Sequence, residues 1–134
     1  MTRNVHEHPN AKAYRRTAEA FRAGDEEALR GLIADDVIWH VPGRNRLAGE
    51  VRGRDSLFEW FQRLREATNG TFSLEEHDVV GNDNHEVALS RMSAVRSGLS
   101  ITVQVVSVIH YRNGKQPERW FHPTDPDAWN RMFS

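Results

Sequence analysis

The order of patterns along this 134-residue chain predicts an α+β domain. Two observations carry that reading. Apolar residues recur at helical spacing through most of the first half, then at strand-like alternation through the second, where short turn sequences separate consecutive runs. A third supports it: four Trp, six Phe and two Tyr supply enough bulk to fill one core in a chain of single-domain length.

The elements follow in order. Ala11, Tyr14, Ala18 and Phe21 share one helical face, and Gly24 offers the left-handed residue that ends such a helix. Asp25 is an N-cap for a short second helix with Leu29, Leu32 and Ile33 on its apolar side. From Asp36 the period becomes two, with Val37, Trp39 and Val41 on one face and Ile38 and His40 on the other, until Pro42-Gly43 breaks the strand. A loop rich in Gly and Arg comes next. Ser56-Leu57-Phe58-Glu59 fits a capping box for a third helix bearing Leu57, Phe58, Trp60, Phe61 and Leu64, with Gly70 at its exit. Strand-like runs then lie near 71–80, 86–96, 99–111 and 116–122, joined at Gly81-Asn82-Asp83-Asn84, Ser97-Gly98 and Asn113-Gly114. Such short turns predict an antiparallel meander wrapped around helices one and three. Asp125-Pro126 reads as the cap and first residue of a last helix, with Asp127 at its positive end.

Composition narrows the function classes. Eighteen Lys plus Arg against nineteen Asp plus Glu leave a net charge of -1, which provides no basic footprint for nucleic acid or an anionic membrane. The absence of cysteine removes disulfides, thiol nucleophiles and thiolate metal sites. Met1 to Asn10 is polar, with no apolar signal core, and no run approaches the roughly 20 apolar residues of a membrane span. A soluble, cytoplasmic protein is expected. With no phosphate-cradling glycine loop and no metal-ligand spacing, no cofactor and no metal are implied.

The chain resembles the SnoaL-like polyketide cyclase group of the nuclear-transport-factor-2-like superfamily. The resemblance rests on Gly24-Asp25, on Ala34-Asp35-Asp36-Val37 leading into Trp39-His40-Val41-Pro42-Gly43, and on Gly49, Gly53, Phe58 and Phe61. It extends through Asn113-Gly114-Lys115 and Glu118-Arg119-Trp120. It implies a cone-shaped, curved antiparallel sheet closed by helices around an apolar cavity, and a homodimer joined through the outer sheet face. Members include isomerases, cyclases, dehydratases, epoxide hydrolases and proteins that only bind. The acid and base positions of two member groups are replaced here. Where ketosteroid isomerases carry their base aspartate this chain has Val41, at their oxyanion tyrosine Thr17, and near their second oxyanion acid Ile109. Where polyketide cyclases carry an acid after the last-strand tryptophan it has Phe121.

The remaining polar residues set among apolar ones are the candidates for acid/base work, which needs a proton acceptor and a donor to a developing oxyanion. His40 suits neutral pH, Asp125 follows the last strand, and Tyr14 shares its helix face with Ala18 and Phe21. Each has a structural alternative: a surface or interface histidine, a helix cap, and a core tyrosine. Trp39, Trp60, Phe61 and Trp120, with Gln104 and His122, are the candidate ligand-binding residues. His110 and His122 meet His40 only if their strands are neighbours. Arg44 and Arg46, between Gly43 and Gly49, are placed either to close over an acidic or carbonyl ligand or to lie in a solvated loop. Three function classes follow: an acid/base enzyme acting on a small carbonyl, polyketide-like or steroid-like compound; a protein that binds a small apolar or aromatic ligand without chemistry; and a dimeric interaction domain whose interior is filled by its own aromatics.

Overall fold

A computed structural model describes residues 7–134, so Met1–His6 of the polar N-terminal stretch lie outside it. Four helices and six strands follow in the order α1 (Pro9–Ala23), α2 (Glu26–Leu32), β1 (Ile33–Val41), β2 (Gly49–Arg52), α3 (Arg54–Ala67), β3 (Ser73–Gly81), β4 (His85–Arg96), β5 (Leu99–Arg112), β6 (Lys115–Pro123) and α4 (Pro126–Met132). The strands form one curved, unclosed sheet in the order β2-β1-β6-β5-β4-β3. The fold is mixed α+β, as the patterning predicts.

Local chemistry accounts for most boundaries. Gly24 ends α1 at φ 68° and its N–H bonds back to Phe21. Asp25 caps α2 by accepting from the Ala28 N–H. Ser97-Gly98 and Asn113-Gly114 both have positive φ at their two central residues, the pairing that a two-residue hairpin turn demands. These turns make β4-β5-β6 a tight antiparallel meander.

Three expectations are corrected. The Gly- and Arg-rich loop contains a short strand, β2, which pairs antiparallel with β1 from Ile38 to Val41; its four residues are too few to show a period. Helix α3 begins at Arg54, behind Gly53 at φ 90°, and has no side-chain cap. Ser56 is therefore inside the helix, where it cannot act as the cap of a capping box. Finally, the sheet is not wholly antiparallel, because β1 runs parallel to β6 with Trp39 opposite Arg119. That pairing joins the strand of the first half to the end of the meander.

The core lies on the concave face. Trp39, Phe121 and Met92 of the sheet pack against Trp60, Phe61 and Leu64 of α3 and Trp129 and Met132 of α4. Trp39 makes edge-on contacts with Trp60, Phe61 and Phe121 at centroid distances of 5.7, 5.5 and 5.2 Å. A second, smaller cluster of Tyr14, Val79, Ala88, Ile109 and Tyr111 lies beneath the first turns of α1.

Candidate functional site

The inward side chains of the sheet fall into cross-strand rows, and one row is chemically unlike the rest. Gly81 of β3 is opposite Glu86 of β4, Glu86 opposite Ile109 of β5, Ile109 opposite Arg119 of β6, and Arg119 opposite Trp39 of β1. Arg119 is 4% exposed and lies in phase with Phe121, so the same alternation that buries the phenyl ring buries the guanidinium. Its Cζ lies 4.5 Å from the Phe121 ring centroid, 5.1 Å from Trp39 and 5.3 Å from Tyr14, an aromatic cage for a cation.

Hydrogen bonds extend from this cation across the interior. Arg119 Nη2 donates to the Tyr14 hydroxyl and to Ser107 Oγ, both at 3.0 Å. The Tyr14 hydroxyl in turn donates to Glu76 Oε1 at 3.4 Å, and Ser90 Oγ donates to Glu76 Oε2 at 3.0 Å. Tyr14 thus separates Arg119 from Glu76, its nearest countercharge in this chain of bonds. Arg119 Nε has no partner among the described residues. Burial holds the Tyr14 hydroxyl above its ordinary acidity range; Arg119 opposes that shift and Glu76 adds to it. At neutral pH Tyr14 is therefore a proton-bearing donor.

The polar seam borders an apolar recess. Tyr14, Arg119, Trp39, Trp60, Phe61 and Phe121 line it, together with Phe72, Trp129 and Phe133. The void measures about 40 Å³. A water needs roughly 10–15 Å³ on the same measure, so the void has the volume of a few waters, against the several hundred Å³ typical of a drug-sized ligand site.

The nine sequence candidates do not form one site. Tyr14, Trp39, Trp60 and Phe61 come together on the recess. His40, Trp120, Gln104 and His122 are on the opposite, outer face, because they are out of phase with Trp39 and Phe121. His40 stacks on Trp120 at 4.9 Å and 5°, with Nε2 2.7 Å from Glu118 Oε2 and Nδ1 3.4 Å from Glu50 Oε1. β1, β6 and β5 are neighbours, and His110 also approaches Glu118, at 3.8 Å. His40 has the partner that the sequence did not reveal, but on the face away from the recess.

Asp125 is exposed and accepts from the Ala128 N–H at 3.1 Å, the geometry of a helix cap. Asp125→Ala is expected to cost about 1 kcal/mol in urea denaturation while leaving the interior unchanged. A loss near zero would remove the capping role. Among the described residues no group of three or more His, Asp or Glu side chains is placed to hold a metal ion. No described helix is long and apolar enough to cross a membrane.

Sequence reasoning missed Arg119, Glu76, Glu86, Ser90 and Ser107 as interior groups. The signal was present: Glu86 and Ser90 keep the period of Ala88 and Met92, and Arg119 keeps that of Phe121. Charged residues break an apolar pattern when read by eye, and this obscured the phase.

A curved six-stranded sheet folded over helices, with a buried cation on its aromatic inner wall, defines the class of α+β rolls with a concave interior. The chain belongs to the SnoaL-like domain family, whose profile matches residues 14–116. It is 38% identical over 121 residues to an uncharacterized protein, Rv0034, of Mycobacterium tuberculosis, covering 90% of this chain and 92% of that one. Among solved structures it is similar to Bal32a from a soil-derived mobile gene cassette, with 32% identity, a TM-score of 0.88, and coverage of 94% and 97% of the two chains. It also shares its fold with TerC, co-crystallized with polyporic acid, at 20% identity, a TM-score of 0.82, and coverage of 94% and 98%.

Proposed function

We propose that this protein takes a small, largely apolar or aromatic compound into its concave interior, with a carbonyl or acidic oxygen of that compound held against Arg119 and Tyr14. Arg119 then stabilises negative charge on the ligand oxygen and the Tyr14 hydroxyl hydrogen-bonds to it, which is the oxyanion half of acid/base chemistry on a carbonyl. The single observation that carries the reading is Arg119: a buried guanidinium, caged by rings, with an unpartnered Nε. Burying such a group costs several kcal/mol unless it is paired, and a hydrophobic side chain of similar size would fill the space without that cost. TerC, crystallized with polyporic acid, is in keeping with an acidic ligand.

The outer face, with Ile38, Trp120, Val106 and Val108, is the proposed contact of a homodimer, and the cytoplasm the proposed compartment. The narrowness of the void favours one second reading, an interaction domain whose interior is filled by its own aromatic side chains.

Benzoate serves as the simplest aromatic acid for a test, followed by quenching of the interior tryptophans. Wild-type protein is expected to bind it, and Arg119→Met to weaken binding at least tenfold, as loss of a charge-assisted hydrogen bond predicts. Stability of the variant is expected to fall, because Tyr14 and Ser107 lose their donor and Glu76 the cation that balances it. Equal binding by both proteins would sink the assignment of Arg119, and absence of binding by the wild type would leave the interaction-domain reading. Mass spectrometry of copurified and incubated aromatic carbonyl compounds separates binding from turnover.

A further inference from the structure

The interior holds a second ionisable group that the site just described does not use. Glu86 is fully buried, and neither carboxyl oxygen has a hydrogen-bond partner among the described residues. The register places it on the Arg119 row, two strands away across Ile109, a Cα separation of roughly 10 Å. Tyr111, two residues beyond Ile109 on the same inner face of β5, has a buried hydroxyl whose ionisation is opposed first by burial, then by Glu86 and Tyr14, and favoured by Arg119. Tyr111 is therefore close to both charges.

The α1 cation Arg15 is paired with Glu7 and not with Glu86. β3 presents Val79 and Gly81, α1 presents Ala11, Ala13 and Tyr14, and Glu7 ahead of α1 adds a like charge. Burial, then Glu7, pushes the Glu86 carboxyl up to about 7. A charge count follows. Arg119 and Glu76 balance through Tyr14, so an anionic ligand at Arg119 leaves the interior with one uncompensated negative charge. An ionised Glu86 would make it two in the same water-poor space.

We propose that an acidic ligand and the Glu86 proton are held together: the anion at Arg119 binds well only while Glu86 is a neutral acid, so that Glu86 acts as a positioning residue that links ligand charge to proton uptake. The proposal rests on the reading that the ligand oxygen meets Arg119. Linkage is reciprocal, so bound anion must raise the proton affinity of Glu86 by the same factor that Glu86 ionisation weakens the anion. A neutral isostere of the ligand escapes the effect.

Calorimetry with benzoate in two buffers of different ionisation enthalpy reads the link. For the wild type, affinity is expected to fall about fivefold between pH 7 and pH 8, with close to one proton taken up per benzoate at the upper pH. Glu86→Gln is expected to bind benzoate with no proton uptake and no such pH dependence, and benzamide to bind both proteins independently of pH. Benzoate bound by Glu86→Gln with the wild-type pH profile overturns the proposal while sparing the Arg119 reading. Benzoate bound by neither protein at any pH overturns that reading and this proposal together. If Glu86→Gln does not fold, carboxyl carbon-13 NMR of the wild type gives the same answer: the Glu86 midpoint rises by about two units on saturation with benzoate, and an unmoved midpoint overturns the link.

Discussion

Trp129→Ala is expected to cost about 3–5 kcal/mol, the range for removing a large aromatic from a packed core. Trp129 is 1% exposed; its ring meets Phe133 edge-on at 4.8 Å and lies 5.9 Å from Phe121. Its Nε1 donates to the Pro42 carbonyl at 3.0 Å, which ties α4 to the end of β1. Asn130 adds a latch by accepting from the Arg44 N–H and from Asn45 Nδ2, over Gly43, where a Cβ would strike the Asn130 side chain. α4 has only seven residues and cannot be stable by itself, so losing its anchor frees the whole segment. Urea denaturation measures the loss, and a cost below about 1 kcal/mol would show that α4 is held chiefly by its backbone and by Asn130.

Glu86→Gln has the opposite sign and a pH dependence of its own. The folded carboxyl titrates at about 7, above its ordinary value of 4.5. A group whose folded pKa is raised contributes its stability fully below the unfolded value and loses it as pH climbs toward the folded one. Wild-type protein should therefore weaken between about pH 4.5 and pH 7, and stay weakened above. The span corresponds to about 3 kcal/mol. Gln has the same shape and no charge to bury, so the variant should match wild type near pH 4 and exceed it by up to about 3 kcal/mol near pH 8. Parallel denaturation curves at those two pH values test this. A constant difference would mean that Glu86 is not the titrating group.

These predictions concern residues on which the sequence is uneven as a guide. The caps at Asp25 and Asp125, the stop at Gly24 and the turns at Ser97-Gly98 and Asn113-Gly114 were legible because each depends on a few adjacent backbone groups. β2 was not, because four residues with a glycine at one end carry no readable period. Ser56 misled because a capping box is a four-residue pattern that also occurs inside helices, and here the glycine at 53 starts the helix without one.

The candidate site divides in the same way. Alternation in β1 established that Trp39 and His40 face opposite sides, and nothing local could say which side was the interior. That was decided when β1 paired with β6, a strand more than seventy residues away, and α3 packed over the Trp39 side. The same pairing brought Arg119 against Trp39 and, through β5, onto one row with Glu86. By itself the sequence determined the order of elements, most of their ends, and an interior rich in aromatics, since these follow from short-range sterics and apolar periodicity. Only the tertiary structure decided that a cation and a carboxyl share that interior, because strand register is set by the packing of the whole sheet and not by any neighbouring residues.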